Sequence, residues 1–174
     1  MSVEKKVRQK IEDGIHECLD GDRKKNSLEF VAYLRANKLN PLWATPLSWK
    51  VSLKNEGVCY IKLFAGGRPG YNDREAGDWI VNPHGGFKGG YESIFSDDKG
   101  KEISWANIKY CIGCSKVCVG EKKWRRVSVL GREFDKVCKN VVFNWSNPDA
   151  DTIEYIKKMI ENRCNEIREF TNTR

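Results

Sequence analysis

Four of the chain's seven cysteines fall between positions 111 and 138, as Cys111, Cys114, Cys118 and Cys138, in the order C-x2-C-x3-C-x19-C. This spacing constrains the fold more than any other feature. A Cys-x-x-Cys turn presents two thiolates from one loop, and a thiolate from a distant element can complete a tetrahedron around zinc. Gly113 allows the backbone to fold closely around an ion. Four protein ligands leave no position open for water, so the expected zinc is structural and staples residues 111–118 to the segment around 134–138. Most zinc ribbons carry two Cys-x-x-Cys pairs, whereas this chain has one pair and two single cysteines. An iron–sulfur cluster also takes four cysteines, in other spacings. A redox-active pair would be expected inside a thioredoxin-like βαβ pattern, which does not surround this one. Unligated thiols in a small loop are the remaining alternative.

The odd cysteine count and an N-terminus, MSVEKKVRQKIEDG, without an apolar signal region argue against a secreted disulfide framework. A reducing, cytoplasmic location is therefore expected. No run of about 18 apolar residues occurs, so neither a membrane span nor a membrane partner is expected. Cys18, Cys59 and Cys164 sit in apolar patterns and read as core residues. With 174 residues, 40% of them hydrophobic and 32% charged, the chain suits one globular domain over 1–174 with the module at 111–138 embedded in it.

Apolar periodicity supplies the rest of the frame. Val3, Val7, Ile11, Ile15 and Leu19 recur every four residues and predict a helix over 3–19, with Gly14 as a weak point. Asn26 or Ser27 could cap a second helix after the basic turn GDRKKN, and Asn40-Pro41 ends it. Trp49, Val51 and Leu53 alternate with polar residues as a strand; Asn55-Glu56-Gly57 reads as a hairpin turn and 58–64 as the returning strand. In that strand Cys59, Ile61 and Leu63 face one way, and Tyr60 and Lys62 the other. The stretch 65–90 holds eight of the fifteen glycines. Only 78–81 within it reads as a strand, and its loops match neither a P-loop nor GxGxxG. Tyr91 to Phe95 reads as a short helix, and 102–110, 124–130 and 141–145 as strands. Asn147-Pro148-Asp149 opens a last helix whose stripe is Ile153, Ile156, Ile160, Ile167 and Phe170. Helices at both ends with strands between predict an α+β fold, an antiparallel sheet packed by N- and C-terminal helices.

Charge is concentrated. Residues 99–140 contain eleven Lys or Arg and four Asp or Glu, which accounts for the whole net charge of +7. Lys122, Lys123, Arg125 and Arg126 flank Trp124, a pattern that can hold a nucleic-acid backbone and stack a base; a solvated basic face is the plainer reading. Trp43, Trp49, Tyr60 and Trp79 cluster around the first strands with Lys62, and could line a small-molecule cleft, although such aromatics are more often core. His84 lies in a glycine-rich loop, where pairing with Cys59 would give a thiol a base. His16 reads as a surface residue.

The segments FVAYLRANKLNPLWATPLSWKVSLKNEGVCYIKL, YCIGCSKVC, LGREFDKVC and NPDADTIEYIKKMIENR resemble a family of small Firmicutes proteins of uncharacterised function, in which a WKV-like strand, a GDW-like strand, a cysteine cluster and an NPD-led helix follow in that order. The resemblance implies that the four cysteines belong together, and it implies no catalytic residue. The strand order and last helix are also similar to gyrase-inhibitor-like small-molecule-binding domains. The glycine-rich insertion and the cysteine module depart from that second pattern. The combined expectation is a zinc-stabilised cytoplasmic binding or regulatory domain for a small molecule. Its alternatives are a nucleic-acid-associated protein and a thiol- or metal-dependent enzyme.

Overall fold

Strand alternation builds the main sheet. In the computed structural model, which describes residues 9–65, 76–84, 94–111, 124–138 and 142–172, the element order begins with α1 (Ile11–Cys18) and α2 (Gly21–Ala36). Then come β1 (Leu42–Thr45), β2 (Ser48–Leu53), β3 (Glu56–Leu63) and β4 (Trp79–Pro83), followed by α3 (Asp98–Ala106). The chain closes with β5 (Trp124–Val129), β6 (Arg132–Cys138), β7 (Trp145–Ser146) and α4 (Ala150–Asn172). One antiparallel sheet has the order β1-β2-β3-β4-β7, and β5 and β6 form a second, two-stranded sheet. The α+β class and the packing by terminal helices are as the sequence indicates.

Residues paired across neighbouring strands share a face. Trp49 stands opposite Ile61, Ile61 opposite Val81 and Val81 opposite Trp145, and all four are fully buried. This is the face that α1, α2 and α4 cover. Phe30 of α2 packs on Trp79 with ring centroids 6.3 Å apart, and the Trp49 indole Nε1 donates to the Gln9 carbonyl at 3.1 Å. Gly14 permits the closest approach: a Cβ there would stand 2.7 Å from Cη2 of Trp49 and 3.2 Å from Cδ1 of Leu63. The residue that weakens α1 by propensity is the one that lets the helix lie on the sheet.

The hairpin between β2 and β3 turns at Lys54 and Asn55, with φ of 48° and 68°. Two left-handed residues match the twist of the flanking strands. The expected turn at 55–57 is therefore displaced by one residue, and Glu56 already pairs with Leu53.

Three helices also depart from the sequence pattern. First, α2 begins at Gly21 and takes in the supposed basic turn. Asn26 and Ser27 cap nothing: Ser27 Oγ donates back to the Lys24 carbonyl, and Asn26 Nδ2 donates to the carbonyl of Pro148. Second, 98–106 is helical, where 102–110 was expected as a strand. Asp97 caps the helix by accepting from the Gly100 amide at 2.6 Å, a local hydrogen bond that outweighs the alternation of Ile103 and Trp105. Third, α4 starts at Ala150, with Asp149 as its cap through the Thr152 amide at 2.8 Å. Asn147, the first residue of the expected helix start, instead ties β4: its Oδ1 accepts from the Trp79 amide at 2.9 Å, and its Nδ2 donates to Asp78 Oδ1 at 2.7 Å. Residues 3–8 of the expected first helix and 91–93 of the expected short helix lie outside the described residues.

The second sheet joins the first through residues 107–111. Ile108 bridges Phe143 and Tyr110 bridges Val137, both antiparallel. Lys109 makes the joint: its N–H donates to the Val142 carbonyl at 2.7 Å, and its own carbonyl accepts from the Cys138 amide at 2.8 Å. In β6, Lys136 takes a φ of 58°, and the register there carries an irregularity. That extra residue lets Phe134 and Val137, three positions apart, both turn inward and be buried. No described helix is long and apolar enough to cross a membrane.

Candidate functional site

Two of the four clustered cysteines fall within the described residues. Cys111 and Cys138 flank the Tyr110–Val137 bridge on adjacent antiparallel segments. The Cys111 amide donates to the Lys136 carbonyl at 2.7 Å and the Cys138 amide to the Lys109 carbonyl at 2.8 Å. Each cysteine follows a bridge residue by one position, so alternation turns both away from the Val137 side and toward a common face. There they are diagonal neighbours, a relationship that separates residues by about 7–8 Å in an ideal ladder, and their Cβ atoms by somewhat less. Both are free and half-buried. Two thiols on one face could supply half of a four-thiolate zinc set, which needs two further ligands. Cys114 and Cys118 lie outside the described residues, and among the described residues no group of three or more His, Cys, Asp or Glu converges. Cys59 and Cys164 are buried in the core.

The five residues expected to line a ligand cleft divide between the two faces of the sheet. Trp43 pairs with Trp49 on the helix-covered face, and Trp79 lies on that face too, opposite Leu63. Trp49 and Trp79 have no exposed surface. Their indoles are core, because α1 and α2 close over them. Trp43 alone is half-buried, beside Pro41 and Arg35 at the β1 edge.

Tyr60 and Lys62 occupy the opposite face, and there they have company. Lys50, Tyr60 and Asn82 stand opposite one another across β2, β3 and β4. On the next rung Ser48, Lys62, Ile80 and Ser146 follow one another across four strands. Lys50, Tyr60 and Lys62 are half-buried, and Asn82 is 5% exposed. Asn82 Nδ2 donates to Asn144 Oδ1 at 2.7 Å, which locks the amide's orientation across the β4–β7 join. Sequence reasoning passed over Asn82 and Asn144. The available signal was a lone amide inside the apolar run WIVNP: a polar residue facing away from a core must find a partner or a use.

His84 belongs to the same face, two positions beyond Asn82. Its ring stacks beside Tyr60, with centroids 6.2 Å apart, and lies over Gly57, where any Cβ would collide with it. Burial, with Arg163 and Lys50 nearby, holds the imidazole below its ordinary pKa against the weaker pull of Glu56. Cys59 faces the core, where burial pushes its thiol well above the usual range. The sheet therefore separates His84 from Cys59, and the considered thiol–base pair does not form.

The basic segment is only partly a free surface. Lys122 and Lys123 lie outside the described residues. Trp124 and Arg125 are exposed, but they face Cys138 and Val137 in turn and so point to opposite sides of the β5–β6 ribbon. Arg126 is held by Asp135 at 2.6 Å. Arg132 lies over the rings of Trp105 and Phe134, at 5.4 and 5.3 Å from their centroids. No family model matches this chain, and no curated protein or solved structure matches it significantly.

Proposed function

We propose that this protein is a zinc-stapled binding domain of the cytoplasm that takes a small molecule on the polar face of its five-stranded sheet. The observation that carries the ligand reading is the cross-strand row Lys50–Tyr60–Asn82 with Lys62 on the adjoining rung. A few convergent polar groups around an aromatic ring are what orient a bound molecule. Half-buried lysine stems supply apolar contact while their ammonium groups supply charge. Cys111, Cys114, Cys118 and Cys138 would hold the zinc, whose contribution is to cross-link the segments that carry them. The common face of Cys111 and Cys138 supports that assignment.

A binding role is favoured over catalysis because His84 and Cys59 lie on opposite faces. A nucleic-acid role is disfavoured because Arg126 is paired with Asp135 and Arg132 lies over the rings of Trp105 and Phe134. The test is a thermal-shift series with small carboxylates, phosphate esters and nucleosides on the intact protein. A compound that raises Tm in the wild type and loses that effect in Tyr60→Ala and Lys50→Ala supports the proposal. Retention on heparin that collapses with modest salt, with no such compound found, would replace it with the nucleic-acid reading.

A further inference from the structure

Hydrogen-bond donors without partners gather where β3 begins and β4 ends on the polar face. Lys50 stands opposite Tyr60 across β2 and β3. The His84 amide donates to the Val58 carbonyl at 2.8 Å, which carries the ladder one step past β4 and sets the imidazole beside the Tyr60 ring, 6.2 Å between centroids. Arg163 reaches the same corner from α4. Its Nε donates to the Gly57 carbonyl at 3.2 Å, and the His84 ring lies over Gly57 itself, 2.4 Å at Cδ2 and 2.8 Å at Nε2 from where a Cβ would stand. The Arg163 side chain is 14% exposed, and its Nη1 donates to Glu166 Oε2 at 3.2 Å.

Among the described residues, the Lys50 ammonium, the Tyr60 hydroxyl, the His84 ring nitrogens and Arg163 Nη2 make no hydrogen bond. Half-burial of an ammonium without a counter-ion is costly. The nearby carboxylates do not redress it: Glu56 is exposed at the start of β3, and Glu166 is paired with Arg163 on α4. Arg163 and Lys50 each act on His84 more strongly than Glu56 does and, after burial, are what hold the imidazole below its ordinary pKa. Four donor groups around one acceptor-poor corner exceed what the two oxygens of a carboxylate take up readily. A phosphoryl group offers three strong acceptor oxygens and up to two negative charges. We propose, resting on the sheet-face reading above, that this corner binds a phosphoryl group, as inorganic phosphate or as the phosphate of a small monoester. Lys50, Tyr60, His84 and Arg163 donate to its oxygens, and His84 takes up a proton from solvent as the anion binds.

The test is proton NMR titration of the intact protein. The chain has two histidines, His16 and His84, so two imidazole signals are followed, and His84→Gln assigns them. The pH series is run in chloride, inorganic phosphate, methyl phosphate and acetate at matched ionic strength. Either phosphate should raise the His84 midpoint saturably, by at least about 0.5 pH, because a bound anion favours the charged imidazole. The His16 midpoint should stay in place, and acetate should move His84 less. Lys50→Met keeps the apolar stem and should weaken phosphate at least about tenfold. The more tightly bound of the two phosphates identifies the source of the group. No saturable rise with either phosphate at tens of millimolar, a rise shared equally by His16, a rise matched by acetate, or an undiminished rise in Lys50→Met would overturn the proposal. The sheet-face reading is scored by a different signal, the rise in Tm that Tyr60→Ala abolishes. A compound without a phosphoryl group that gives this Tm response, while phosphate leaves His84 unmoved, would end the phosphoryl proposal and leave the sheet-face reading standing.

Discussion

Cys111 and Cys138 stand on the same side of one antiparallel ladder, on either flank of the Tyr110–Val137 bridge. Twenty-six intervening residues separate them in sequence, yet the two backbone bonds around that bridge hold the segments in register. Backbone pairing thus puts the two cysteines on adjacent segments, a placement a metal cross-link could use. It predicts that loss of one cysteine loosens the second sheet and leaves the first intact. Cys138→Ser should lower the stability of the β5–β6 ribbon, read as faster amide exchange at Phe134 and Val137, while Ile61 and Val81 remain protected. Uniform exchange throughout the molecule would contradict a local staple.

Gly14→Ala tests the approach of α1 to the sheet. Alanine gains up to about 1 kcal/mol of helix propensity over glycine. Its Cβ would stand 2.7 Å from the Trp49 ring, which has no exposed surface and no room to move. Overpacking of this kind costs about 1–3 kcal/mol, so a net loss is expected in denaturant unfolding. A gain in stability would show that α1 does not rest on Trp49.

Trp49→Phe and Trp79→Phe remove the same volume from equally buried positions but differ in polarity. Trp49 Nε1 donates to Gln9, whereas Trp79 Nε1 is buried with no hydrogen-bond partner among the described residues. Substitution at 79 removes an unpaired donor, and substitution at 49 breaks a bond. Trp49→Phe should be the more damaging by about 1–2 kcal/mol at the urea midpoint. Equal losses would contradict the difference in partners.

Asn147 links β4 to the start of α4 through two hydrogen bonds and adopts a φ of 44°. Asn147→Ala loses both bonds, leaves the Trp79 amide unpaired and places a Cβ residue without a compensating amide in left-handed backbone. The expected cost is about 2–4 kcal/mol, read as a fall in Tm. An unchanged Tm would remove Asn147 from the account of how the last helix is anchored.

The positions that misled sequence reasoning share a cause. At 102–110, Ile103 and Trp105 alternate as a strand would, and the decisive group was Asp97, five residues upstream, whose cap bond fixes the helix. At Asn147 the pattern of a helix start was real, but the amide had a stronger claim from β4 across 68 residues of chain. The first is a local cap and the second a long-range partner, and neither leaves a trace in the periodicity of apolar residues. The paired strands at 48–63 were legible because one face is buried, and period two then writes itself into the residues. The same rule would have separated Trp49 from Tyr60 had adjacent strands been registered before the aromatics were grouped: a cluster in sequence is not a cluster on one face.

Two helix caps should make stability acid-sensitive. Asp97 is held below its ordinary value of 3.8 by the Gly100 amide and then by the Tyr155 hydroxyl; Asp149 is lowered by its bonds to Thr152. A depressed carboxyl contributes stability that is present above the unfolded value and lost as pH falls through the folded one. Tm should therefore fall as pH drops from about 4 toward 2, and the Asp97→Asn/Asp149→Asn double variant should show a shallower fall. Parallel curves for the two proteins would place the acid sensitivity elsewhere.

The most direct measurement is the metal content of the purified protein, read by elemental analysis with an absorption spectrum, for the wild type and for Cys114→Ser. The wild type should hold one zinc per chain and show no iron–sulfur absorption, and the variant should lose both the zinc and part of the thermal stability. A wild type free of metal, with the thiols of Cys111, Cys114, Cys118 and Cys138 all open to alkylation and a variant that melts identically, would contradict it.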